Sequence, residues 1–290
     1  MKKLLFAGCL TLLCIGCTMP PPVRVMTFNI RYGTASDGEN AWPKRSQLVF
    51  DTIISNAPDV IGLQEVLAFQ AGELCEALPD YEFVGVGRDD GFGEGEFAPI
   101  MFQSKILKLV DCGYVWLSEQ PDLPGEKAWD AACPRMLTWV RLGFKRHPLN
   151  SFYVINTHFD HVGKKARLES AKLIRQMTDV LGGKPIIVMG DFNCGPGSPP
   201  HEVLTADRGN LAELHDTHVV RGHSEIDAGT FNAFEGRRSG ARIDWILFNR
   251  RFEPVGYEID RRAGEGRYPS DHYPVNAVLR LLPATWSGAM

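Results

Sequence analysis

The sequence has no surplus of positive charge. Its 290 residues contain 31 lysines and arginines against 35 aspartates and glutamates, which gives a formal net charge of −4. If residues 1–16 are removed on export, Lys2 and Lys3 are lost and the net charge becomes −6. Tight nonspecific binding of nucleic acid depends on clustered basic residues along the phosphate backbone. The composition therefore argues against that class of protein, but it is compatible with a small phosphorylated substrate.

The sequence also lacks the paired cysteines of a zinc site. Beyond residue 17, no two cysteines have the Cys-x-x-Cys spacing; they are Cys75, Cys112, Cys133 and Cys194. A structural zinc site is therefore not expected. Export would permit disulfides, and Cys112 with Cys133 is one pairing it would allow. The spacing alone leaves the pairing open.

The N-terminal apolar run is too short to span a bilayer. A basic start precedes the apolar stretch 4–15, an arrangement typical of a secretory signal. The end of this stretch, CIGC at 14–17, resembles a bacterial lipobox, in which the last cysteine is acylated and becomes the new N terminus. Cys14 departs from that pattern, where Leu is usual, so ordinary signal-peptide cleavage is the alternative.

These features predict the domain organisation and the location of the protein. We expect a signal peptide at 1–16, lipidation of Cys17, a proline-rich tether over 17–22 and one domain over 23–284. Thr18 after the cysteine resembles the context for outer-membrane sorting, so we expect an outer-membrane lipoprotein facing the periplasm or the cell surface. A soluble periplasmic or secreted protein is the alternative. Membrane contact is expected only through the N-terminal lipid anchor, and the protein is expected to be a monomer.

Strand and helix signals alternate along the domain. Ten apolar runs are predicted as strands: VRVMTFNI, DVIGLQE, YEFVGVG, PIMF, ILKLVDCGYVWL, MLTWVRLGF, SFYVINTHF, PIIVMGDF, RIDWILF and YPVNAVLRLL. Apolar spacing, Pro43 and Gly182 predict helices over 43–56, 67–78 and 165–181. The loops at 87–97 and 118–135 are long and polar or proline-rich, which is more typical of a functional rim than of a plain connection.

Several predicted strands end in, or contain, a polar side chain that a buried strand has no packing reason to keep. These residues are Asn29, Glu65, His158, Asp191, Asn193, Asp244, Asp271 and His272. Each one alone has an ordinary structural explanation, such as an Asx turn or a hydrogen-bonded core histidine. Together they would bury several charges at a high cost, which a bound cation and an anionic substrate would offset. Hard oxygen ligands favour Mg²⁺, with Mn²⁺ or Ca²⁺ as alternatives.

Six motifs in order, TFNIR, GLQE, NTHFDH, GDFN, RIDWIL and SDHYP, resemble the endonuclease/exonuclease/phosphatase superfamily. This group includes deoxyribonuclease I, exonuclease III, inositol-polyphosphate 5-phosphatases and neutral sphingomyelinases. The motifs span residues 25–280. The resemblance implies an α/β (α+β) fold of the deoxyribonuclease I type, a four-layer α-β-β-α sandwich of two packed mixed β-sheets flanked by helices.

The resemblance also implies a ligand set for the metal and a base for the attacking water. Glu65 is expected to be the principal metal ligand, with Asn29 and Asp271 near the metal or its waters. Asp191 is expected to orient or deprotonate the water. Asn193 is expected to hydrogen-bond the scissile phosphate.

Two histidines complete the implied catalytic set. His272, held by Asp244, is expected to contact the phosphate in the transition state, and His158 is expected near the leaving group. The segment EFAPIMF resembles the stretch whose glutamate supports the second histidine, so Glu96 is expected behind His158. A carboxylate behind each imidazole would raise its pKa and favour the charged form.

Substrate-binding residues are less well defined than the chemistry. Arg135, Arg31 and His161 are the candidates, because Arg suits bidentate phosphate recognition and His161 extends the NTHFDH motif. The tyrosine that apurinic-type nucleases place before the NTH position has no clear counterpart, and GDFNCGPG matches the 5-phosphatase signature only in part.

The sequence therefore predicts a divalent-metal-dependent phosphoesterase that hydrolyses a phosphodiester or phosphomonoester by in-line attack of water. Its substrate would be a phosphorylated small molecule, a lipid head group or a nucleic acid. A secreted nuclease acting on DNA or RNA is the first alternative, and a non-catalytic binding module on the same fold is the second. A glycosidase carboxylate pair would leave the two histidines and two asparagines unexplained.

Overall fold

The computed structural model describes residues 19–264 and 266–283. The predicted signal peptide and the lipidation of Cys17 lie outside the described residues. Within the described ranges, no helix combines the length and the apolar character needed to cross a membrane.

Within the described residues, twelve strands form the framework of the domain. They are β1 (Val23–Asn29), β2 (Val60–Gln64), β3 (Tyr81–Val84), β4 (Ile100–Gln103), β5 (Leu107–Trp116), β6 (Met136–Phe144), β7 (His147–His158), β8 (Ile186–Asp191), β9 (Leu214–Asp216), β10 (Asp244–Asn249), β11 (Phe252–Ile259) and β12 (Val275–Leu281). The helices are α1 (Trp42–Asn56), α2 (Ala68–Ala77), α3 (Lys164–Val180), α4 (Pro199–Thr205) and α5 (Thr217–Val220), with a 3-10 turn at Gly38–Asn40.

The strands form two six-stranded mixed sheets. The order is β11-β12-β1-β2-β4-β3 in the first sheet and β5-β6-β7-β8-β10-β9 in the second. β1 pairs with β2 in parallel, as β7 does with β8, while the other pairings are antiparallel. The sheets pack face to face over a core of apolar side chains that includes Val25, Phe102, Val154, Ile246 and Val275.

Two further apolar clusters attach the helices to the outer faces of the sheets. Phe28 and Leu63 of the first sheet pack in one cluster with Ile53 of α1. Val188 of the second sheet packs in the other cluster with Ile174 of α3. The resulting four layers, helices outside two packed sheets, confirm the predicted deoxyribonuclease I-like sandwich.

β1 shows why the central strands are continuous apolar runs rather than alternating ones. Its side chains point alternately to the two faces of the sheet. Val23 and Val25 lie in the core between the sheets, whereas Met26 and Phe28 lie in the cluster with the helices. Because both faces are covered, nearly every position in the strand is buried.

All ten predicted strands are present, and the three predicted helices correspond to α1, α2 and α3 within a few residues. β9 and β11 were missed, as were α4 and α5. β9 has three residues, too few for a pattern, and β11 contains Pro254 and Gly256, where its register with β12 shifts. The four described cysteines are free, so Cys112 and Cys133 form no disulfide.

Candidate active site

The direction of the strands gathers the polar residues at one edge of the sandwich. Four of them end, or directly follow, β1, β2, β7 and β8: Asn29, Glu65, His158 and Asp191. β10 is antiparallel to β8, and its first residue, Asp244, lies opposite Asp191. β12 is antiparallel to β1, so Asp271 and His272, which precede it, reach the same edge.

These residues surround a cleft of about 760 Å³. The predicted site residues that line it are Arg31, Glu65, Glu96, Arg135, His158, His161, Asp191, Asn193, Asp271 and His272. Asn29 and Asp244 are fully buried and contact the lining residues from behind. The structure thus brings together in one place all the predicted residues that are described.

The backbone is strained at three positions of this cleft. Arg31, Glu65 and Asn193 have φ values of 60°, 60° and 49°, in the left-handed region that non-glycine residues seldom adopt. Such conformations cost about 1–3 kcal/mol each and persist where the surrounding contacts enforce them, which is common at functional sites. At Asn193 the backbone N–H donates to Asp191 Oδ1 at 2.9 Å, and the side-chain amide donates to the Phe159 carbonyl at 3.0 Å.

Asp191 lies at the centre of the cleft. Its Oδ2 accepts a hydrogen bond from Asn29 Nδ2 at 3.0 Å and lies 3.5 Å from His158 Nε2 and 3.8 Å from His272 Nε2. Burial and the nearby Asp244 carboxylate raise the pKa of Asp191 to about 7. A carboxyl group with such a pKa can accept a proton near neutral pH.

His272 is held by Asp244. The distance from His272 Nδ1 to Asp244 Oδ2 is 3.0 Å, and both side chains are buried. Burial alone would lower the pKa of His272, but Asp244 and Asp191 outweigh it and raise the pKa well above its ordinary value. The imidazole is therefore held in its charged form, with Nε2 directed toward Asp191.

The environment of His158 differs from the prediction. His158 Nδ1 lies 3.8 Å from Glu96 Oε2, too far for a hydrogen bond, because Glu96 binds Arg88 through two hydrogen bonds of 2.7 and 3.0 Å. Burial, together with the positive charges of Arg135 and Arg88, lowers the pKa of His158 well below its ordinary value. Glu96 lies on the Nδ1 side of His158 as expected, but the expected rise in the pKa of His158 was wrong, because burial has the largest effect and the two arginines add to it.

Glu65 and Asp271 provide a set of hard oxygen atoms suited to a divalent cation. Glu65 Oε1 accepts from Asn29 Nδ2 at 3.0 Å, and Oε2 accepts from the backbone N–H of Tyr32 at 3.1 Å. Burial raises the pKa of Asp271, and the negative charge of Glu65 adds to the rise. A cation between two such carboxylates would relieve their repulsion. Asn29 donates to both Glu65 and Asp191, so it ties the cation side of the cleft to the proposed base.

Two other groups of potential ligands fit a cation less well. One potential ligand atom from each of Asp191, Asp244 and His272 lies within 4.8 Å of the other two, but His272 Nδ1 is already engaged by Asp244. The second group is Cys133, Asp160 and His161. The guanidinium of Arg135 contacts both Asp160 and His161, and its positive charge opposes a metal ion there.

Sequence reasoning missed some residues of the cleft. Phe231 lies there with its side chain partly exposed and its ring 5.3 Å from that of His272. It belongs to an isolated bridge rather than a strand, and no spacing indicates it. Asp37 does not line the cleft, but it holds Arg31 through two hydrogen bonds of 3.0 and 3.1 Å and was also missed.

Two mixed sheets in a four-layer sandwich, with acids, amides and imidazoles at one edge, define a deoxyribonuclease I-like protein. The model of the endonuclease/exonuclease/phosphatase family matches residues 26–272, and the chain belongs to this family. The resemblance inferred from the six motifs is thus confirmed.

Solved structures and curated proteins extend this comparison. An endonuclease/exonuclease/phosphatase from Bacteroides vulgatus is 35% identical with a TM-score of 0.81, covering 90% of this chain and 100% of that chain. A mannosyl-6-phosphatase from Bacteroides thetaiotaomicron is 32% identical with a TM-score of 0.79, covering 89% and 99%. Nocturnin from Drosophila melanogaster is 25% identical over 92% of this chain. The chain spans about half, 48%, of that relative's length.

Proposed function

We propose that this chain is a divalent-metal-dependent phosphoesterase that hydrolyses a small phosphorylated substrate by in-line attack of water. One observation carries the proposal: Asp191 lies between two imidazoles and is joined through Asn29 to the Glu65 carboxylate. This arrangement places a proton acceptor, hydrogen-bond donors and oxygen ligands in a single cleft.

Each group has a role that follows from its environment. Asp191, with its pKa raised to about 7 by burial and Asp244, accepts a proton from the attacking water. His272, kept charged by Asp244, donates to a phosphoryl oxygen and stabilises the charge that develops on it. Asn193 has a second amide N–H beyond the one bound to Phe159, and it donates this to the phosphoryl group.

His158 stays neutral, because burial and the nearby arginines oppose its protonation. In that form it directs Nε2 to Asp191 and helps to orient the water.

Glu65 and Asp271 would hold the cation, with Asn29 fixing the Glu65 carboxylate. When bound, Mg²⁺ or Mn²⁺ supplies Lewis-acid stabilisation of the phosphoryl oxygens. The oxygen-only ligand set supports these ions over zinc, and Ca²⁺ is the third candidate.

The substrate class is supported by charge and by one relative. The chain carries a net negative charge, which disfavours a polyanionic nucleic acid. The mannosyl-6-phosphatase that is 32% identical acts on a phosphorylated sugar. Both observations support a phosphomonoester over a DNA or RNA strand.

A panel of phosphoesters tests the proposal. The purified chain should release phosphate from at least one small phosphomonoester with Mg²⁺ or Mn²⁺, and EDTA should abolish the release. Asp191→Asn should lose the activity while keeping the fold, and Asp51→Asn, at an exposed position of α1, should retain it. Hydrolysis that survives EDTA, or a strict preference for DNA or RNA, contradicts the proposal. Binding without turnover on the whole panel would support the non-catalytic alternative.

The cellular location is a separate proposal. The basic start, the apolar stretch and CIGC at 14–17 support export and a lipid anchor on Cys17. In a bacterial host fed labelled palmitate, the protein should incorporate label, and Cys17→Ser should not, while Cys75→Ser serves as the control. Equal labelling of all three proteins contradicts the anchor.

A further inference from the structure

Arg135 has an unsatisfied donor at the edge of the cleft. It lies just before β6 and is 6% exposed. Its Nε lies 3.3 Å from Asp160 Oδ2, and its Nη2 lies 2.9 Å from His161 Nδ1. Its Nη1 is buried and has no hydrogen-bond partner among the described residues. Because Nη1 has almost no accessible surface, a ligand reaches this pair through His161, which is exposed and lines the cleft. Since Arg135 Nη2 donates to Nδ1, the ring proton of His161 lies on Nε2, which can donate to a ligand.

The surroundings of Arg135 are held rigidly. Asp160 accepts hydrogen bonds from the backbone N–H groups of Ala132, Val162 and Gly163 at 3.1, 3.0 and 2.7 Å. These bonds connect the end of the 118–135 loop to the start of α3. The guanidinium that holds His161 therefore has a fixed position before any ligand arrives, and little entropy is lost when the pair binds one.

The other long loop is fastened to the same side of the cleft. The carbonyl of Arg88 accepts from Trp116 Nε1 at 2.7 Å and from the backbone N–H of Gly125 at 3.2 Å. Arg88 and Arg135, together with His161, thus form a preorganised wall next to His158.

The positive charges in the cleft are already paired. Of the described residues that line it, three are arginines, and each has a carboxylate partner: Arg31 with Asp37, Arg88 with Glu96, and Arg135 with Asp160. No lysine is among these lining residues. The reaction centre can neutralise one phosphoryl group, but the wall offers no surplus charge for a second one. It offers hydrogen-bonding groups of fixed direction instead, which suit uncharged hydroxyls.

Phe231 adds an apolar surface to the same cleft. Its side chain is 43% exposed, although large aromatic side chains are usually covered. A cleft that contains both an aromatic face and fixed polar groups suits a sugar-like ring, which has C–H groups on one face and hydroxyls at its edge.

We infer that the substrate is a phosphomonoester with an uncharged, hydroxyl-rich leaving group, and that His161 Nε2, held in place by Arg135, binds a hydroxyl of that group. The inference rests on the proposed function and narrows it. It makes His161, with Arg135 behind it, the determinant of leaving-group specificity.

Two substrates distinguish the role of Arg135 in binding the leaving group from the hydrolysis of the phosphate ester. A hexose monophosphate carries the hydroxyls, and an aryl phosphate without hydroxyls has the same reacting group. Arg135→Met should lower kcat/KM on both substrates, because the charge of Arg135 also lowers the pKa of His158, but about 10-fold more on the hexose phosphate than on the aryl phosphate. Arg141→Met is the matched control, since Arg141 lies on β6 and contacts Ser151. It should change neither value.

A second variant controls for loss of folding, and substrates of higher charge test whether the cleft prefers an uncharged leaving group. Arg135→Met could lose its fold because of the Asp160 contact, so His161→Ala is measured as well, and thermal melting is recorded for both. His161→Ala should show the same selective loss on the hexose phosphate. The wild type should also prefer the hexose monophosphate over a hexose bisphosphate and over a dinucleotide with a terminal phosphate. Equal losses of Arg135→Met on the two monophosphates, or a preference for either polyanion, would overturn the inference.

Binding distinguishes a failure of this inference from a failure of the proposed function. Calorimetry with the hexose monophosphate in the Asp191→Asn background should show binding that Arg135→Met weakens about 10-fold or more. If the wild type hydrolyses no phosphoester, the proposed function fails, but this selective binding would still support the subsite. If the hexose phosphate binds no better than inorganic phosphate, the subsite is overturned whether or not turnover is seen.

Discussion

Asp244 Oδ2 and His272 Nδ1 lie 3.0 Å apart in a pair that is closed to solvent. The second oxygen of Asp244 has no hydrogen-bond partner among the described residues. The pair therefore depends on one strong, charge-assisted bond, which fixes the orientation of the imidazole and favours its charged form.

Replacing Asp244 with Asn should impair catalysis by removing the charge that keeps His272 protonated. We expect kcat to fall about 100-fold or more, as for other positioned acid–base groups. The alkaline limb of the pH–rate profile should move to lower pH, because the raised pKa of His272 depends on Asp244. Asp51→Asn is the control. An unchanged alkaline limb in Asp244→Asn would show that His272 does not act in its charged form.

The same pair makes a prediction about stability. Since the folded-state pKa of His272 is raised, its contribution to stability is complete below the unfolded pKa of about 6.5 and is lost as the pH rises through the folded value. Urea unfolding from about pH 6 to about pH 10 should show the free energy of unfolding of the wild type falling with pH. Asp244→Asn should show a flatter dependence. If the free energy of unfolding had the same pH dependence in the wild type and in Asp244→Asn, Asp244 would not be the cause of the raised pKa of His272.

Glu65 should control the affinity for the divalent cation. Glu65→Gln keeps the hydrogen-bond acceptor for Tyr32 but removes the negative charge, so we expect Mn²⁺ affinity to fall about 10-fold or more. Isothermal titration of Mn²⁺ measures this directly. Glu82→Gln, at an exposed position of β3, should bind Mn²⁺ as the wild type does. Equal affinities of Glu65→Gln and the wild type would place the cation elsewhere.

Gly190 should be essential for the approach of β8 to β7. A Cβ at this position would overlap the carbonyl oxygen of Thr157, so Gly190→Ala should destabilise the fold by about 1–3 kcal/mol. Gly72→Ala is the matched opposite case, because Gly72 lies in α2 with open space around its Cα. It should stabilise the fold by about 0.5–1 kcal/mol. Thermal or urea unfolding measures the stability of both variants. A similar loss of stability in Gly190→Ala and Gly72→Ala would contradict the prediction.

Much of the fold could be predicted because the central strands are buried on both faces. A run such as PIIVMGDF is apolar at consecutive positions, which indicates a strand that is covered on both faces. The change to polar residues at its end marks the edge of the sheet. The same reasoning found most of the cleft, since polar side chains that close several buried strands must meet where those strands end.

The partners of individual side chains could not be predicted in the same way. Glu96 was assigned to His158, but the loop at 87–97 folds back so that the backbone N–H of Arg88 donates to the Glu96 carbonyl at 3.1 Å. Because of this turn, the carboxylate of Glu96 hydrogen-bonds the Arg88 guanidinium rather than the imidazole of His158. The path of a loop depends on contacts that no sequence pattern records, and so does the exposed position of Phe231.

The most direct test of the account is the distance between the bound cation and the bound phosphate. Phosphorus NMR relaxation of inorganic phosphate, measured with the protein and Mn²⁺ together, reports that distance because the paramagnetic ion relaxes nearby nuclei. We predict strong relaxation that requires the protein and is lost in Glu65→Gln, as expected if both ligands share one cleft. Phosphate that binds alongside Mn²⁺ without enhanced relaxation would contradict the central claim.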